Sequence, residues 1–267
     1  MEDTDNYPPI LYLHDQLGPS ISNFSPVAAI NCYGDTFVLD SNGIMYFITK
    51  TATRICATKG SGEGQLLNPT SLSISYEVKR IFVVDSGNHR INLYDFSGKF
   101  ISTFGKFGSG DGELKDPKGI AISIFQSTVL IADTGNKRVQ LFTLEGHFKS
   151  IFPGQFQSPK AICTKENNVY IADIGCVLVY SNVGVYKRTI GSPGTGYGQF
   201  SNPCGLTFSE YLYVVDEKCI QRFKNNGECV GKYKGELQSP QSIKITTNGI
   251  FIIADKTTKR VFMYKLY

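Results

Sequence analysis

Three acid–base sets recur in the sequence, each an aspartate followed five residues later by an arginine. They are Asp85 with Arg90, Asp133 with Arg138, and Asp255 with Arg260. A carboxylate and a guanidinium group at this spacing can form a hydrogen-bonded ion pair, or the arginines can form a basic rim for an anionic ligand. Recurrence at one place in a repeat favours the structural role, in which the aspartate caps a loop and the arginine bridges to a neighbouring repeat.

Candidates for catalysis or metal binding are sparse. The three histidines, His14, His89 and His147, fall in separate segments, whereas a zinc site needs several converging ligands. His89 occupies a loop position that holds Lys137 or Lys259 in other repeats, which indicates a surface residue. The glycine-rich stretches beginning at Gly60 and Gly108 lack the Lys-Ser/Thr that follows a phosphate-binding loop. We therefore expect no catalytic residue, no metal and no cofactor, and we predict a protein that is not an enzyme.

The elements that must position these residues are short apolar runs, each ending in an aspartate. The six acids are Asp40, Asp85, Asp133, Asp173, Asp216 and Asp255. Runs such as Thr128–Asp133 are rich in β-branched residues and are typical of strands buried on both faces. The aspartates are spaced 45, 48, 40, 43 and 39 residues apart. Strand repeats of about 40–50 residues are typical of propeller blades, so the sequence predicts an all-β, six-bladed propeller of four-stranded antiparallel blades.

Each predicted blade opens with a proline, and its Asp-ended run is the second strand. The blades are expected to start near Pro26, Pro69, Pro117, Pro159, Pro203 and Pro240. The last repeat reaches its third strand near the end of the chain, while Ile10–Leu13 precede the first proline without a repeat of their own. We predict that residues 10–13 complete the last blade and close the ring, which removes an open sheet edge. Residues 1–267 are then one domain.

Composition restricts the environment and the partners. Lys and Arg exceed Asp and Glu by 27 to 23, a mild basic excess that permits an anionic partner without demanding one. The seven cysteines are scattered without a Cys-x-x-Cys motif, which is typical of free thiols in a reducing compartment. The N-terminus is acidic and polar, and no apolar run reaches about 18 residues. We expect a cytoplasmic protein with no membrane partner.

The repeat unit resembles the NHL repeat family. The resemblance lies in the proline, the apolar run ending in Asp, the Ser/Thr-Gly-Asn-x-Arg loop and the alternating third strand, and it is closest over Pro69–Phe104 and Pro117–Phe152. It implies a six-bladed propeller that is more often a binding platform than an enzyme. Relatives bind RNA or protein, and a minority of similar propellers are metal-dependent lyases. The sequence has no zinc-binding pattern of the RING type, so ligase activity is not implied.

One face of such a propeller would carry the loops after the second strands and the connections between blades. The candidate partner-binding residues there are His89, Arg90, Lys106, Phe107, Lys118, Lys137, Arg138, Tyr197, Lys218, Lys259 and Arg260. Three hypotheses follow: docking of a protein or peptide, binding of single-stranded RNA to basic and aromatic residues, and, more weakly, a lyase or hydrolase in the central channel. The alternative to all three is that this face is a solvated rim of mixed charge without a binding role. We expect the domain to be a monomer.

Overall fold

The computed structural model describes residues 24–49, 51–246 and 249–265, with the side chain of Lys265 excepted. Six antiparallel sheets follow one another along the chain, each built from consecutive strands, so the predicted six-bladed β-propeller is confirmed. We number the blades 1 to 6 in chain order. In the described residues blades 1 to 5 have four strands each and blade 6 has three. Three short 3-10 helices interrupt the loops at Ser86–Asn88, Ile124–Gln126 and Thr134–Asn136.

The first two strands of each blade lie nearest the axis. The first strands are Pro26–Cys32, Ser71–Ser75, Ile120–Ser123, Ala161–Lys165, Pro203–Phe208 and Pro240–Ile245. The second strands are Asp35–Asp40, Arg80–Asp85, Thr128–Asp133, Asn168–Asp173, Leu212–Asp216 and Ile250–Asp255. Every second strand therefore ends at one of the predicted aspartates.

The remaining strands lie toward the circumference. The third strands are Ile44–Ile48, Arg90–Asp95, Arg138–Thr143, Cys176–Ser181, Cys219–Phe223 and Arg260–Lys265. The fourth strands are Thr53–Ala57, Phe100–Phe104, Phe148–Ile151, Tyr186–Ile190 and Cys229–Tyr233. Between blades 4 and 5 the two-residue strands Ser192–Pro193 and Gln199–Phe200 pair in parallel.

The second strands are apolar because both of their faces pack against neighbouring blades. Val129, Leu130 and Ile131 are all fully buried, with Leu130 in the cluster shared with blade 4 and Val129 and Ile131 in the cluster shared with blade 2. Burying a side chain of this size contributes on the order of 1.5–3 kcal/mol. The core is thus a series of interfaces between blades, which explains why the apolar runs do not alternate with polar residues.

The first strands neighbour one another around the axis, and the ring closes where blade 6 meets blade 1. At this junction Phe24, Val38 and Tyr46 of blade 1 pack in one cluster with Ile252 and Val261 of blade 6. The expectation that residues 10–13 supply the fourth strand of blade 6 lies outside the described residues. So does part of the assignment of residues 1–267 to one domain, which stays a prediction.

Antiparallel pairing gives the propeller two distinct ends. The loops after the second strands and the connections between blades lie at one end, which we call the loop face. The turns within the first hairpin and the last hairpin of each blade lie at the other end, the turn face. None of the described helices is long and apolar enough to cross a bilayer. All seven cysteines are free thiols.

Candidate functional site

The six aspartates at the ends of the second strands are buried and tie each blade to the chain that enters it. Asp40 accepts the Ser25 N–H at 2.6 Å, and Asp133 accepts the Lys115 N–H at 2.7 Å. Equivalent bonds from the residues just before the blade's proline reach Asp85, Asp173, Asp216 and Asp255. A buried carboxylate needs such donors. These acids therefore have a structural position and do not face a ligand.

In blades 2 and 3 an arginine completes the same network. Arg90 Nε lies 2.8 Å from Asp85, and Arg138 Nε lies 2.7 Å from Asp133, with the two arginine side chains only 15% and 18% exposed. The other end of Arg138 donates to the carbonyls of Gly110 and Glu113 in the preceding inter-blade loop. Both arginines are thus engaged by protein groups, which leaves little of either for a ligand.

The third Asp–Arg set is arranged differently. Asp255 accepts four backbone N–H groups, among them those of Thr257 and Thr258 at 3.1 and 3.0 Å. Arg260 is 51% exposed and its described ion-pair partner is Glu236, at 3.9 Å. The five-residue spacing therefore yields an Asp–Arg pair in blades 2 and 3 and an exposed arginine in blade 6.

Several of the predicted lysines are exposed on the loop face. Lys137, Lys218 and Lys259 have exposed side chains, and within the described residues none of the three ammonium groups has a hydrogen-bond or ion-pair partner. Lys106 differs, because its ammonium lies 3.3 Å from the Glu113 carboxylate. Three unpaired positive charges on one face are available for an acidic partner, and Lys106 is partly neutralised.

Exposed apolar side chains share this face. Phe107 is 65% exposed and its ring centroid lies 4.9 Å from that of His89, whose Nδ1 accepts the Asp116 N–H at 3.1 Å. Tyr197 is 60% exposed on the loop between blades 4 and 5. Ile174, which follows directly after Asp173, is 55% exposed and was not among the predicted residues. Large exposed apolar groups on the same face as unpaired charges are features of a contact surface.

A cavity of about 380 Å³ opens at the centre of the loop face and is lined by residues of all six blades. Lys118, Lys160 and Lys244 line it together with Thr70, Thr134 and other small or polar groups, and no acidic or aromatic residue is among the described residues of its wall. Small-molecule sites in proteins are typically about 300–1,000 Å³. The cavity is therefore of ligand size and has a positive wall.

Hydrogen bonds between successive blades hold the rim of this cavity. Thr70 Oγ1 donates to the Lys118 carbonyl at 2.9 Å, and Thr134 Oγ1 donates to the Pro159 carbonyl at 2.6 Å. The Lys160 ammonium donates to the Asn202 side-chain oxygen. Each bond links one blade to the next, so the rim is held together from blade 2 to blade 5.

The residues of the cavity wall can be located by their distance along the chain from the proline that opens each blade. The residues directly after the prolines form the cavity mouth: Val27, Thr70, Lys118, Lys160, Cys204 and Gln241. Three residues further along the first strands are Ile30, Ser73, Ala121, Cys163, Thr207 and Lys244, which we call the floor positions. Of these six, Lys244 alone lines the cavity. The sequence aligns these positions with one another, but only the structure shows which of them face the axis and line the cavity.

Lys244 is the most unusual group of the cavity. Burial lowers the pKa of its ammonium group, and within the described part of the chain the side chain has no hydrogen-bond or ion-pair partner. The neighbouring Cys163 does not neutralise it, because burial raises the pKa of that thiol to about 12 and keeps it protonated. A cation without a counter-charge in a cavity is a ready site for an anion.

The two described histidines do not converge. His89 lies on the loop face in blade 2, whereas His147 lies in the last hairpin turn of blade 3 on the turn face. His14 lies outside the described residues. Within the described residues no group of three or more His, Cys, Asp or Glu side chains is arranged to hold a metal ion.

Buried Asp caps, hydrogen bonds between successive blades and a basic central cavity define a β-propeller with an open loop face. A family model described as a 6-bladed beta-propeller matches residues 66–171. No curated protein matches the sequence. The sequence match thus covers blades 2 and 3 and part of blade 4, where the repeat is most regular.

Solved structures of the same fold are numerous. A streptogramin B lyase superposes with a TM-score of 0.69 at 13% identity, covering 96% of this chain and 98% of the lyase. A protein of unknown function from Bacteroides thetaiotaomicron VPI-5482 gives 0.72 at 15% identity, covering 93% of this chain and 71% of that protein. Virginiamycin B lyase from Staphylococcus aureus gives 0.68 at 11% identity, covering 96% of this chain and all 100% of the lyase. Likeness at this level of identity establishes the fold alone.

Proposed function

We propose that this protein is a non-catalytic binding module that docks a protein or peptide partner on its loop face. The observation that carries the proposal is the combination on one face of unpaired lysines, Lys137, Lys218 and Lys259, with exposed Phe107 and Ile174. Apolar anchors supply binding free energy and charges supply orientation and encounter rate. A partner segment that is acidic and carries apolar side chains would complement this surface.

Single-stranded RNA is the alternative ligand for the same face, since Phe107 and Tyr197 present exposed rings on which bases could stack. A protein partner is favoured because an aliphatic side chain, Ile174, is exposed on the same face as the lysines and offers no base-stacking surface. We further infer that the blades are NHL-type repeats, which the Asp133–Arg138 and Asp85–Arg90 pairs support. The free thiols support placing the protein in a reducing compartment such as the cytoplasm.

The test is capture of partners from the native source by the wild-type protein and two charge-reversed variants, followed by mass spectrometry. One variant carries Lys137→Glu and Lys218→Glu on the loop face. The matched control carries Lys79→Glu and Lys99→Glu on the turn face, where both lysines are exposed. Lys79 and Lys137 also share a positive φ, 51° and 55°, so the backbone effects of the two variants match.

We expect the loop-face variant to lose a partner that the control retains. Loss in the control with retention in the loop-face variant would contradict the proposal and move the docking surface to the turn face, where Ile124 and Phe125 are also exposed. RNA is separated from protein by fluorescence anisotropy with a labelled single strand between about 50 and about 200 mM salt, since phosphate contacts weaken steeply over this range. A steep slope that becomes shallower with Lys137→Glu would identify RNA, and not a protein, as the partner.

A further inference from the structure

We propose that the central cavity is a binding site for a short aliphatic dicarboxylate, which enters from the loop face. One carboxylate would be held by Lys244 and the other by Lys118 and Lys160 at the mouth. This inference goes beyond the docking of a macromolecule, because the cavity is enclosed by the first strands and the lysines proposed for docking lie outside it.

The charge of the cavity selects an anion. Three ammonium groups line a wall whose described residues include no carboxylate. An ordinary buried lysine is paired with an acid, because desolvating an unpaired charge is unfavourable. Lys244 is half-buried and has no such partner in the described residues, so a bound carboxylate would supply a counter-charge.

The depth of the cavity selects a ligand with two acidic groups. The mouth lysines stand directly after Pro117 and Pro159, and Lys244 stands four residues after Pro240. Three residues of strand correspond to roughly 10 Å, so the backbones that supply the cations lie at two levels along the axis. A molecule with one carboxylate at each end can satisfy both levels, whereas a monocarboxylate satisfies only one.

Part of the cavity wall is apolar. Ala161, Ile162, Leu206 and Ile243 contribute to the wall, and the volume of about 380 Å³ accommodates a small molecule. Methylene groups of a ligand would pack there without leaving a polar group unsatisfied.

Titration at Lys244 gives a specific signature. Cys163 of blade 4 lies near it, Lys118, Lys160 and Cys204 line the same cavity, and burial raises the pKa of both thiols to about 12. Because burial lowers the pKa of Lys244, binding of a carboxylate beside it restores the charged form, and the complex takes up a proton at alkaline pH. An exposed lysine with an ordinary pKa would give a smaller uptake at the same pH.

The experiment is isothermal titration calorimetry of the purified protein with glutarate, and with pentanoate as the monocarboxylate of equal chain length. We expect glutarate to bind about tenfold or more tightly than pentanoate, since one charge-assisted contact is lost. Lys244→Gln should lower the glutarate affinity by about tenfold or more, whereas Lys137→Gln on the open loop face should leave it unchanged. Titrations at alkaline pH in two buffers of different ionisation enthalpy should show a proton uptake in the wild type that Lys244→Gln reduces.

Equal affinity for glutarate and pentanoate, or undiminished glutarate binding by Lys244→Gln, would overturn the proposal. Thermal unfolding of each variant shows that a lost signal does not come from a lost fold, and Lys118→Gln at the rim provides a second variant for the same measurement. The result is independent of partner docking. Glutarate binding can fail while the Lys137→Glu, Lys218→Glu variant still loses its macromolecular partner, and the reverse can also occur.

Discussion

The two arrangements of the Asp–Arg set allow one sequence motif to be compared in two environments. We consider double-mutant cycles on Asp133–Arg138 and on Asp255–Arg260, each made with alanine. In blade 3 the carboxylate is fully buried and the arginine is 18% exposed at 2.7 Å. In blade 6 the arginine is 51% exposed and lies near Glu236. The sequence spacing is the same, so a difference in coupling must come from the structure.

The expected magnitudes follow from burial. Removing Asp133 leaves Arg138 without its counter-charge, and breaking a buried pair costs about 3–5 kcal/mol. At about 2–4 °C per kcal/mol for a domain of this size, Asp133→Ala should lower the melting temperature by about 6–20 °C. The coupling energy between Asp133 and Arg138 should be about 1.5–3 kcal/mol, in the range of a hydrogen bond to a charged group. For Asp255 with Arg260 it should fall within about 0.5 kcal/mol of zero.

Urea unfolding followed by circular dichroism is the assay, since the protein has no tryptophan for fluorescence. The denaturant slope must stay constant among the variants of a cycle, because a changed slope indicates a changed denatured state or loss of two-state behaviour. Equal coupling energies in the two cycles would refute the reasoning, and so would a coupling of less than about 0.5 kcal/mol between Asp133 and Arg138. Asp255→Ala alone should still destabilise the protein, because four backbone N–H groups lose their acceptor.

Three further predictions concern the centre of the ring. Lys244→Gln should raise the free energy of unfolding at pH 7, because the pKa of Lys244 is lowered in the folded state. This gain in stability should shrink to nothing as the pH rises through the ordinary lysine pKa of 10.5. Urea unfolding at pH 7 and above pH 10 measures both values. Gly119→Ala should destabilise by about 1–3 kcal/mol in thermal unfolding, because its Cβ would lie 2.6 Å from the Lys160 carbonyl oxygen. Cys163 should resist iodoacetamide at pH 8 in the native protein, since its pKa of about 12 leaves no thiolate; mass spectrometry of labelled peptides would reveal any reaction.

The fold could be predicted because its physical requirement repeats. Each second strand is buried on both faces and must end where a carboxylate can hold the chain that enters the blade, so apolar runs ending in aspartate recur along the sequence. The Asp133–Arg138 contact could also be anticipated from its recurrence. The exposed position of Arg260 could not be anticipated, because it depends on the Thr257 and Thr258 N–H groups. These two groups donate hydrogen bonds to the Asp255 carboxylate. In blade 3 the side chains of Asn136 and Arg138 take those acceptor sites.

The candidate site could not be predicted in the same way, because a repeat pattern identifies the positions that are the same in every blade. The positions that define the cavity are those at which the blades differ. Directly after the prolines, a valine, a threonine, two lysines, a cysteine and a glutamine surround the mouth, and one lysine replaces the small or apolar residues of the floor positions.

A ring in which every blade is held by the same buried aspartate leaves the side chains at its axis free to vary, since any group that fits there is compatible with the blades. Side chains that determine which ligand binds can therefore occur at the axis without weakening the fold. The expected stabilisation by Lys244→Gln follows from the same independence of the axis from the fold. If Lys244 destabilises the protein when no ligand is bound, the fold does not require this lysine.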